Sequence, residues 1–202
     1  VNTKIGLDFS TVLRATLRQD PDILLVGEMR DQETVEIGLR GAMTGHLVLT
    51  TLHTNDAISS ALRLMDMGAQ GYLVASALRA IIAERLVRRI CRYCHEEHEV
   101  DAGDRIWLVN LFGEGVHQQQ FQRGRGCQSC NFTGYAGRIG VYELLELDQP
   151  MMDALRRNDA EGFARAARAH EHYRPLALTA LDYAREGITS VDEVLRLAED
   201  LG

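Results

Sequence analysis

The spacing of apolar and polar positions changes several times along the chain, and each change marks an element. In DFSTVLRATLRQ, residues 8–19, Phe9, Val12, Leu13 and Leu17 recur at helical spacing, which predicts a helix. Asp20-Pro21 stops it, because proline disfavours helical geometry in the residue before it. Ile23, Leu24, Leu25 and Val26 then form a short continuous apolar run inside 22–27, the pattern of a buried strand, which ends on Gly27 and Glu28. Asp31 is placed to cap a helix from about Gln32 to Met43, closed by Gly45. HLVLTTLH, residues 46–53, is apolar and β-branched and reads as a second strand. Asn55 or Asp56 caps a further helix with Ile58, Ala61, Leu62 and Met65 on one face, ended by Gly68. From about Tyr72 to Ile90 the chain is apolar around most of a helical girth, which predicts a long, well-buried helix.

Two strands joined by a helix of about a dozen residues make a βαβ unit, hence a parallel sheet in an α/β domain. Ligands of such sheets collect at the carboxyl ends of the strands. Glu28 and His53 each follow the last apolar residues of a strand, so both are expected on that rim.

Texture changes between Cys91 and about Gly137, where glycines, glutamines and cysteines replace long periodic patterns. This stretch reads as a small subdomain. RIGVYELLEL, 138–147, reads as a strand returning to the main body, and the remainder is helical, interrupted at Pro175 and Gly187. Its last helix opens on Ser190 and Glu193, the spacing of a capping box. The expected division is therefore 1–90, an α/β core; 91–137, a cysteine-bearing subdomain; and 138–202, a returning strand with C-terminal helices.

Charge narrows the classes. The 202 residues carry a formal net charge of −7, which argues against a general nucleic-acid binder, since such proteins need basic faces. No apolar run approaches the roughly 20 residues needed to span a bilayer. VNTKIGLDFS has neither the basic start nor the apolar core of a signal peptide, so the expected compartment is the cytoplasm. The same stretch starts with no helix or strand of its own to complete, as in a piece whose N-terminal part is elsewhere.

Cys91-Arg-Tyr-Cys94 and Cys127-Gln-Ser-Cys130 use every cysteine in the chain. A two-residue gap lets two thiolates from one turn reach one metal, and two such turns complete a tetrahedron. The 32 intervening residues exceed the usual zinc-ribbon gap, so the loop between must fold back. Disulfides or unrelated thiols are the alternatives; a cytoplasmic chain disfavours the first, and the paired spacing disfavours the second. Structural zinc is the expectation. His95 and His98 read as surface residues beside a shell that four cysteines already fill.

Glu28 alone is equally a polar turn after a strand. With His53 on the neighbouring rim and the hydroxyls of Thr50 and Thr51 beside it, a phosphate site is the sharper reading, the glutamate orienting water and the histidine donating to phosphate oxygens. Asp22 is a second acid assigned to that rim. His46 lies seven residues before His53 and would face the other way on an unbroken strand. Arg14 and Arg18, at i, i+4, are candidates for contact with nucleotide or a neighbouring subunit, solvated faces being the ordinary alternative. No G-x-x-x-x-G-K-[ST] occurs, so no loop of this chain cradles the α- and β-phosphates.

LRQDPDILLVGEMRDQET, TGHLVLTTLHTND, RLVRRICRYC and CQSCNFTGYAGRIGVYELLEL follow one another in an order that resembles the GspE/PilB family of secretion ATPases, the hexameric motors of type II secretion and type IV pilus assembly. The similarity continues to REGITSVDEVLRLAED, and QDPDILLVGEMRDQETVEIGLRGAMTGHLVLTTLHTND is most similar to the MSHA-type pilus assembly branch. The resemblance implies a RecA-like core, incomplete without its P-loop portion. DPDILLVGE would be the Walker B segment, with Glu28 acting on water or Mg2+. TGHLVLTTLHTN would be the His box, with His53 the stronger and His46 the weaker contact to the γ-phosphate region. It further implies Zn2+ on the four cysteines, ATP hydrolysis in the full-length parent, a homo-hexamer, and an inner-membrane platform protein as partner, with membrane association only through partners. The rival is a non-catalytic zinc-containing interaction module on a relic nucleotide-binding fold; Glu28 and His53 favour the motor.

Overall fold

The computed structural model describes residues 7–199; the opening six residues, expected to hold no complete element, lie outside them. Helix α1 (Phe9–Leu17) starts where the Asp8 carboxylate accepts the Thr11 N–H at 2.8 Å. It is followed by the turn at Asp20 and Pro21, and Asp20 takes a left-handed φ of 53°. Strand β1 (Ile23–Val26), helix α2 (Gln32–Met43) and strand β2 (Leu47–Thr50) form the expected βαβ unit. The strands are parallel, paired Ile23 with Leu47 through Val26 with Thr50. Asp31 caps α2 through the Thr34 N–H at 2.8 Å. Of the two capping candidates for α3 (Ala57–Asp66), Asp56 is used, in a reciprocal box with Ser59.

The sheet is covered on one face only by the described residues. Leu24 and Val26 are buried, whereas Ile23 and Leu25 of β1, and Leu47 and Leu49 of β2, are exposed. Side chains alternate along a strand, so helix α2, whose Gly38 and Gly41 sit against Val48, can cover only one set. The continuous apolar run had pointed to a strand buried on both sides.

The expected helix over 72–90 is a short helix followed by a long strand. Helix α4 (Gly71–Ala77) ends at Leu78, and β3 (Ala80–Ile90) pairs with β6 (Tyr135–Glu146). Leucine, alanine, arginine and glutamate favour helix weakly and locally, but a partner strand more than 40 residues downstream decides the outcome. Apolar residues on every side of a helical wheel are also what a strand with two partly covered faces displays. The close seat of α4 depends on Gly71, where a Cβ would stand 2.0 Å from the Leu155 carbonyl oxygen in α6 (Gln149–Arg156).

The cysteine-rich segment holds more regular structure than its composition suggested. Strand β4 (His95–His98) runs antiparallel to β5 (Phe121–Gly124), with His98 opposite Phe121, and α5 (Ala102–Phe112) lies between them in sequence. After β6 come α6, α7 (Ala160–Ala169), α8 (Leu176–Arg185) and α9 (Val191–Glu199), with Pro175 and Gly187 flanking α8 as expected. Among the described residues, no helix is long and apolar enough to cross a membrane.

The chain divides into two compact units: residues up to Ile81 with Leu144–Tyr173, and Ile82–Glu143 with the chain from Arg174 onward. The core of the second gathers Val87, Leu108, Phe121, Val141, Leu181 and Val194, drawn from both of its chain segments. A buried carboxylate joins those segments. Glu193 of α9 is fully buried and accepts the Arg88 backbone N–H at 2.7 Å and the Arg88 Nε at 3.0 Å, with Arg196 2.8 Å away. Glu193, whose spacing from Ser190 suits a capping box, bonds Arg88 of β3, and the Ser190 hydroxyl bonds the Tyr135 hydroxyl at 2.7 Å.

Burial pushes the Glu193 carboxyl up, but the hydrogen bonds and charge of Arg88, with Arg196 behind them, carry it below the ordinary glutamate value. A depressed folded pKa contributes stability above the unfolded value and loses it as pH falls through the folded one. Glu193→Gln should therefore cost about 2 kcal/mol at neutral pH, the scale of a hydrogen bond to a charged group. That deficit against the parent should shrink as acid protonates the parent's carboxylate. Urea unfolding at neutral pH and at pH values stepping below the carboxylate range checks both; a deficit independent of pH would show that charge on Glu193 contributes nothing.

Candidate functional site

At the carboxyl ends of β1 and β2 the backbone continues pairing past the strands. The Met29 N–H donates to the Thr51 carbonyl at 3.3 Å, and the Thr51 hydroxyl donates to the Gly27 carbonyl at 2.5 Å. These bonds hold the two strand exits side by side. Glu28 Oε2 consequently lies 3.4 Å from His53 Nε2. The same oxygen accepts Arg30 Nε in an ion pair. Glu28 is mostly covered, with 20 % of its side chain exposed, while His53 stands in solvent at 86 %. The hydrogen bond from Arg30 holds the Glu28 carboxyl below the usual carboxylate range; partial burial opposes it, and the charges of Arg30 and His53 reinforce it.

The other residues assigned to this rim divide. Thr51 is in it and ties it together, and Thr50 is paired with Val26 one position earlier. Asp22 is at the opposite end of β1: its carbonyl accepts the Leu47 N–H at 3.0 Å, and the six positions to Glu28 correspond to roughly 20 Å of strand. His46 is also at the amino end, where its Nδ1 lies 2.9 Å from the Gly41 carbonyl and closes the turn from α2 into β2. Asp22 and His46 are therefore not brought to Glu28. The two histidines are separated by strand length, since β2 ends at Thr50 before an alternation argument can reach His53. Arg14 forms an ion pair with Glu33, linking α1 to α2, while Arg18 is exposed with no acidic partner among the described residues. Sequence reasoning missed Arg30. Its signal was a basic residue two positions after the strand-end acid, in GEMRD, where an extended backbone returns the side chain to the same side.

The cysteines do converge. Their four sulfur atoms lie within 4.8 Å of one another, with Cys91 to Cys127 at 3.9 Å and both Cys94 and Cys127 at 3.8 Å from Cys130. A disulfide would bring two sulfurs to about 2.05 Å. A tetrahedron with metal–sulfur bonds of about 2.3 Å has edges of about 3.8 Å, so the sulfurs already have the spacing of a zinc shell. Three backbone N–H groups point at them: Gly126 at Cys94 (3.3 Å), Cys127 at Cys130 (3.2 Å) and Gly134 at Cys130 (3.3 Å). Such donors stabilise thiolates. Burial alone would raise Cys130, yet the Cys127 and Gly134 N–H groups and the neighbouring thiols bring it to about 6, while burial pushes Cys94 up to about 12. The Cys91 N–H donates to the Gly134 carbonyl at 2.9 Å and the Arg125 N–H to the Cys94 carbonyl at 2.8 Å, joining the two pairs. The two arms flanking Cys127 and Cys130 touch backbone to backbone at Gly124 and Gly134, where a Cβ on Gly124 would lie 1.9 Å from the Gly134 carbonyl oxygen. Glycine is required there, and at Gly134 doubly so because φ is +79°. His95 bonds the Arg92 carbonyl through Nδ1 at 3.1 Å and takes no part in the shell.

Comparison with known proteins shows the family of the chain. The family model described as "Type II/IV secretion system protein" matches residues 1–196. The type II secretion system protein E of Aeromonas hydrophila is 40 % identical over 200 residues, 99 % of this chain and 39 % of that protein. The type IV pilus assembly ATPase PilB of Pseudomonas aeruginosa is 39 % identical over 206 residues, 99 % of this chain and 35 % of that protein. The pilus retraction motor PilT, solved with bound ADP, superposes with a TM-score of 0.63 at 26 % identity, covering 94 % of this chain and 43 % of PilT. The α/β fold thus resembles that of PilT, and the chain spans about two-fifths of the length of the relatives it matches. Because the family model matches along nearly its whole length, this chain belongs to the type II/IV secretion system protein family.

Proposed function

We propose that these residues form the C-terminal part of the ATPase domain of a hexameric motor that hydrolyses ATP to drive pilin or pseudopilin assembly, of the kind served by the MSHA-type branch. The observation that carries this reading is the meeting of Glu28 and His53, 3.4 Å apart at the carboxyl ends of two parallel strands. A carboxylate there can hold an attacking water and accept its proton, and an exposed imidazole can donate to a phosphate oxygen. Mg2+, when bound, would neutralise phosphate charge; Glu28 is the rim acid available to it or to its water, while Asp22 is too far along β1 to serve. Arg18, exposed on α1, is the arginine offered to nucleotide or to a neighbouring subunit. In this reading residues 1–90 form the motor core, 91–137 the zinc-binding subdomain and 138–202 the returning strand and helices. The motor works in the bacterial cytoplasm against an inner-membrane platform protein.

In the full-length protein, Glu28→Gln should keep ATP binding and lose hydrolysis by about 10²-fold or more, because the swap keeps the size and removes the base. His53→Ala should slow turnover less and leave assembly of the ring intact. Steady-state phosphate release beside nucleotide binding checks this; parental turnover by Glu28→Gln would reduce Glu28 to a turn residue.

The cysteine cluster should hold one zinc per chain, through Cys91, Cys94, Cys127 and Cys130 at about 2.3 Å. Four protein ligands leave no open position, so the metal's part is structural. Cys130→Ser should release it and lower the melting temperature of the unit that contains it. Metal analysis of unchelated protein gives the stoichiometry, and full reduction with substoichiometric metal would overturn it.

The 202-residue chain by itself should fold, hydrolyse no ATP and bind it weakly. Backbone N–H groups and the lysine of a phosphate loop supply most of the hold on a polyphosphate, and no such loop occurs in this sequence. Titration calorimetry with ATP and Mg2+ measures this, and micromolar binding would show a more complete site.

A further inference from the structure

A single carboxylate oxygen faces two nitrogen groups at the rim. Oε2 of Glu28 accepts Arg30 Nε from its own loop and faces His53 Nε2 from the segment after β2. A carboxylate paired with a guanidinium through one oxygen is a weaker base toward water, and here Arg30 holds that oxygen. The three groups differ in how firmly they are held. Glu28 is mostly covered, whereas 70 % of the Arg30 side chain is exposed, so the arginine tip can leave without breaking a packed contact. Nor does the adjacent acid compete for it: Asp31 is committed to the Thr34 N–H at 2.8 Å and the Thr34 hydroxyl at 2.9 Å, as the cap of α2. Phosphate offers a guanidinium two parallel hydrogen bonds and more charge than the single oxygen it now holds.

We propose that Arg30 is a positioning residue that holds Glu28 in a resting state through Oε2 and yields that oxygen when a phosphate-bearing ligand competes for its guanidinium. The inference rests on the reading of Glu28 as the group that activates water. Its consequence is that the carboxylate is a weak base while the rim is empty and a stronger one when phosphate is present, because removing a paired cation raises carboxylate basicity. Idle hydrolysis is thereby suppressed by a side chain of the same loop.

The test uses the 202-residue chain, labelled with carbon-13 at glutamate carboxyls and nitrogen-15 at arginine, with Arg30→Met and Arg30→Lys variants. Arg30 is exposed, so both variants should fold, and dispersed amide spectra confirm it. The Glu28 carboxyl should titrate at higher pH in Arg30→Met than in the parent. Millimolar pyrophosphate should move the parent's Glu28 titration the same way, and at neutral pH should shift the Arg30 Nε–H resonance. It should leave Arg30→Met unmoved and act on Arg30→Lys more weakly than on the parent. Sodium chloride at equal ionic strength should do none of this. A parent that ignores pyrophosphate, an equal response in Arg30→Met, or an equal effect of chloride would overturn the proposal. None of these readouts requires catalysis. If Glu28→Gln in the full-length protein hydrolysed ATP normally while pyrophosphate still released Glu28 here, the latch would stand and the assignment of the base would fall.

Discussion

The parallel register of two four-residue strands is the constraint on which the site depends. Pairing Ile23 with Leu47 through Val26 with Thr50 makes β1 and β2 end level, and the bonds from Met29 to Thr51 and from Thr51 to Gly27 carry that alignment beyond the strands. Glu28 and His53 lie 25 positions apart in sequence and meet only because neither strand runs past the other. A slip of one residue would move His53 by about 3.3 Å and turn the apolar set of β2 to the opposite face. The helix that connects the strands also fixes them, since Asp31 caps it three residues after Glu28 and Val48 lies against its glycines.

The second unit is built around groups that cost free energy to bury and are each compensated locally. Glu193 loses its water and regains a backbone N–H and two guanidinium groups. Arg88 in turn stacks 4.0 Å over the Tyr135 ring, and its carbonyl accepts the Thr189 hydroxyl, so one residue of β3 ties β6 and the approach to α9 together. Three residues beyond Arg88 the chain reaches Cys91, the first sulfur of the cluster. The cluster is itself a set of groups that burial disfavours as anions, made tolerable by N–H donors and matched in spacing to a metal of four ligands. The partner of the buried carboxylate thus stands on β3, three residues before the first sulfur of the cluster, which lies just past the end of that strand.

Arg30, by comparison, is a charge that burial does not fix. The Arg88–Glu193 pair is anchored by a buried acid and cannot easily exchange, whereas the Arg30–Glu28 pair has its cation in solvent. Two ion pairs of the same chemistry are therefore suited to different work: one resists separation, and the other can be displaced by a stronger anion.

Local chemistry was enough to read α1, β1, α2, β2 and α3 from the sequence, because the strands are short apolar runs and each helix is periodic and capped by an acid that acts within three residues. The two cysteine pairs were equally legible, since metal geometry imposes spacing on the chain itself, and the rim positions of Glu28 and His53 followed from the βαβ pattern. What the sequence could not decide were matters of distant partners. Residues 80–90 have acceptable helix propensity and become β3 only because β6 is available to pair with them. Glu193 has the spacing of a capping residue and instead neutralises Arg88, 105 positions away. Asp22 and His46 carry the right chemistry for the rim and are held at the other end of the strands, and the pairing of Arg30 with the Glu28 oxygen exists only in the folded loop. Propensity, capping and ligand spacing act over a few residues and are written in them; strand partners, charge pairs and the end of the sheet a side chain occupies are settled by contacts that exist only after the chain has folded.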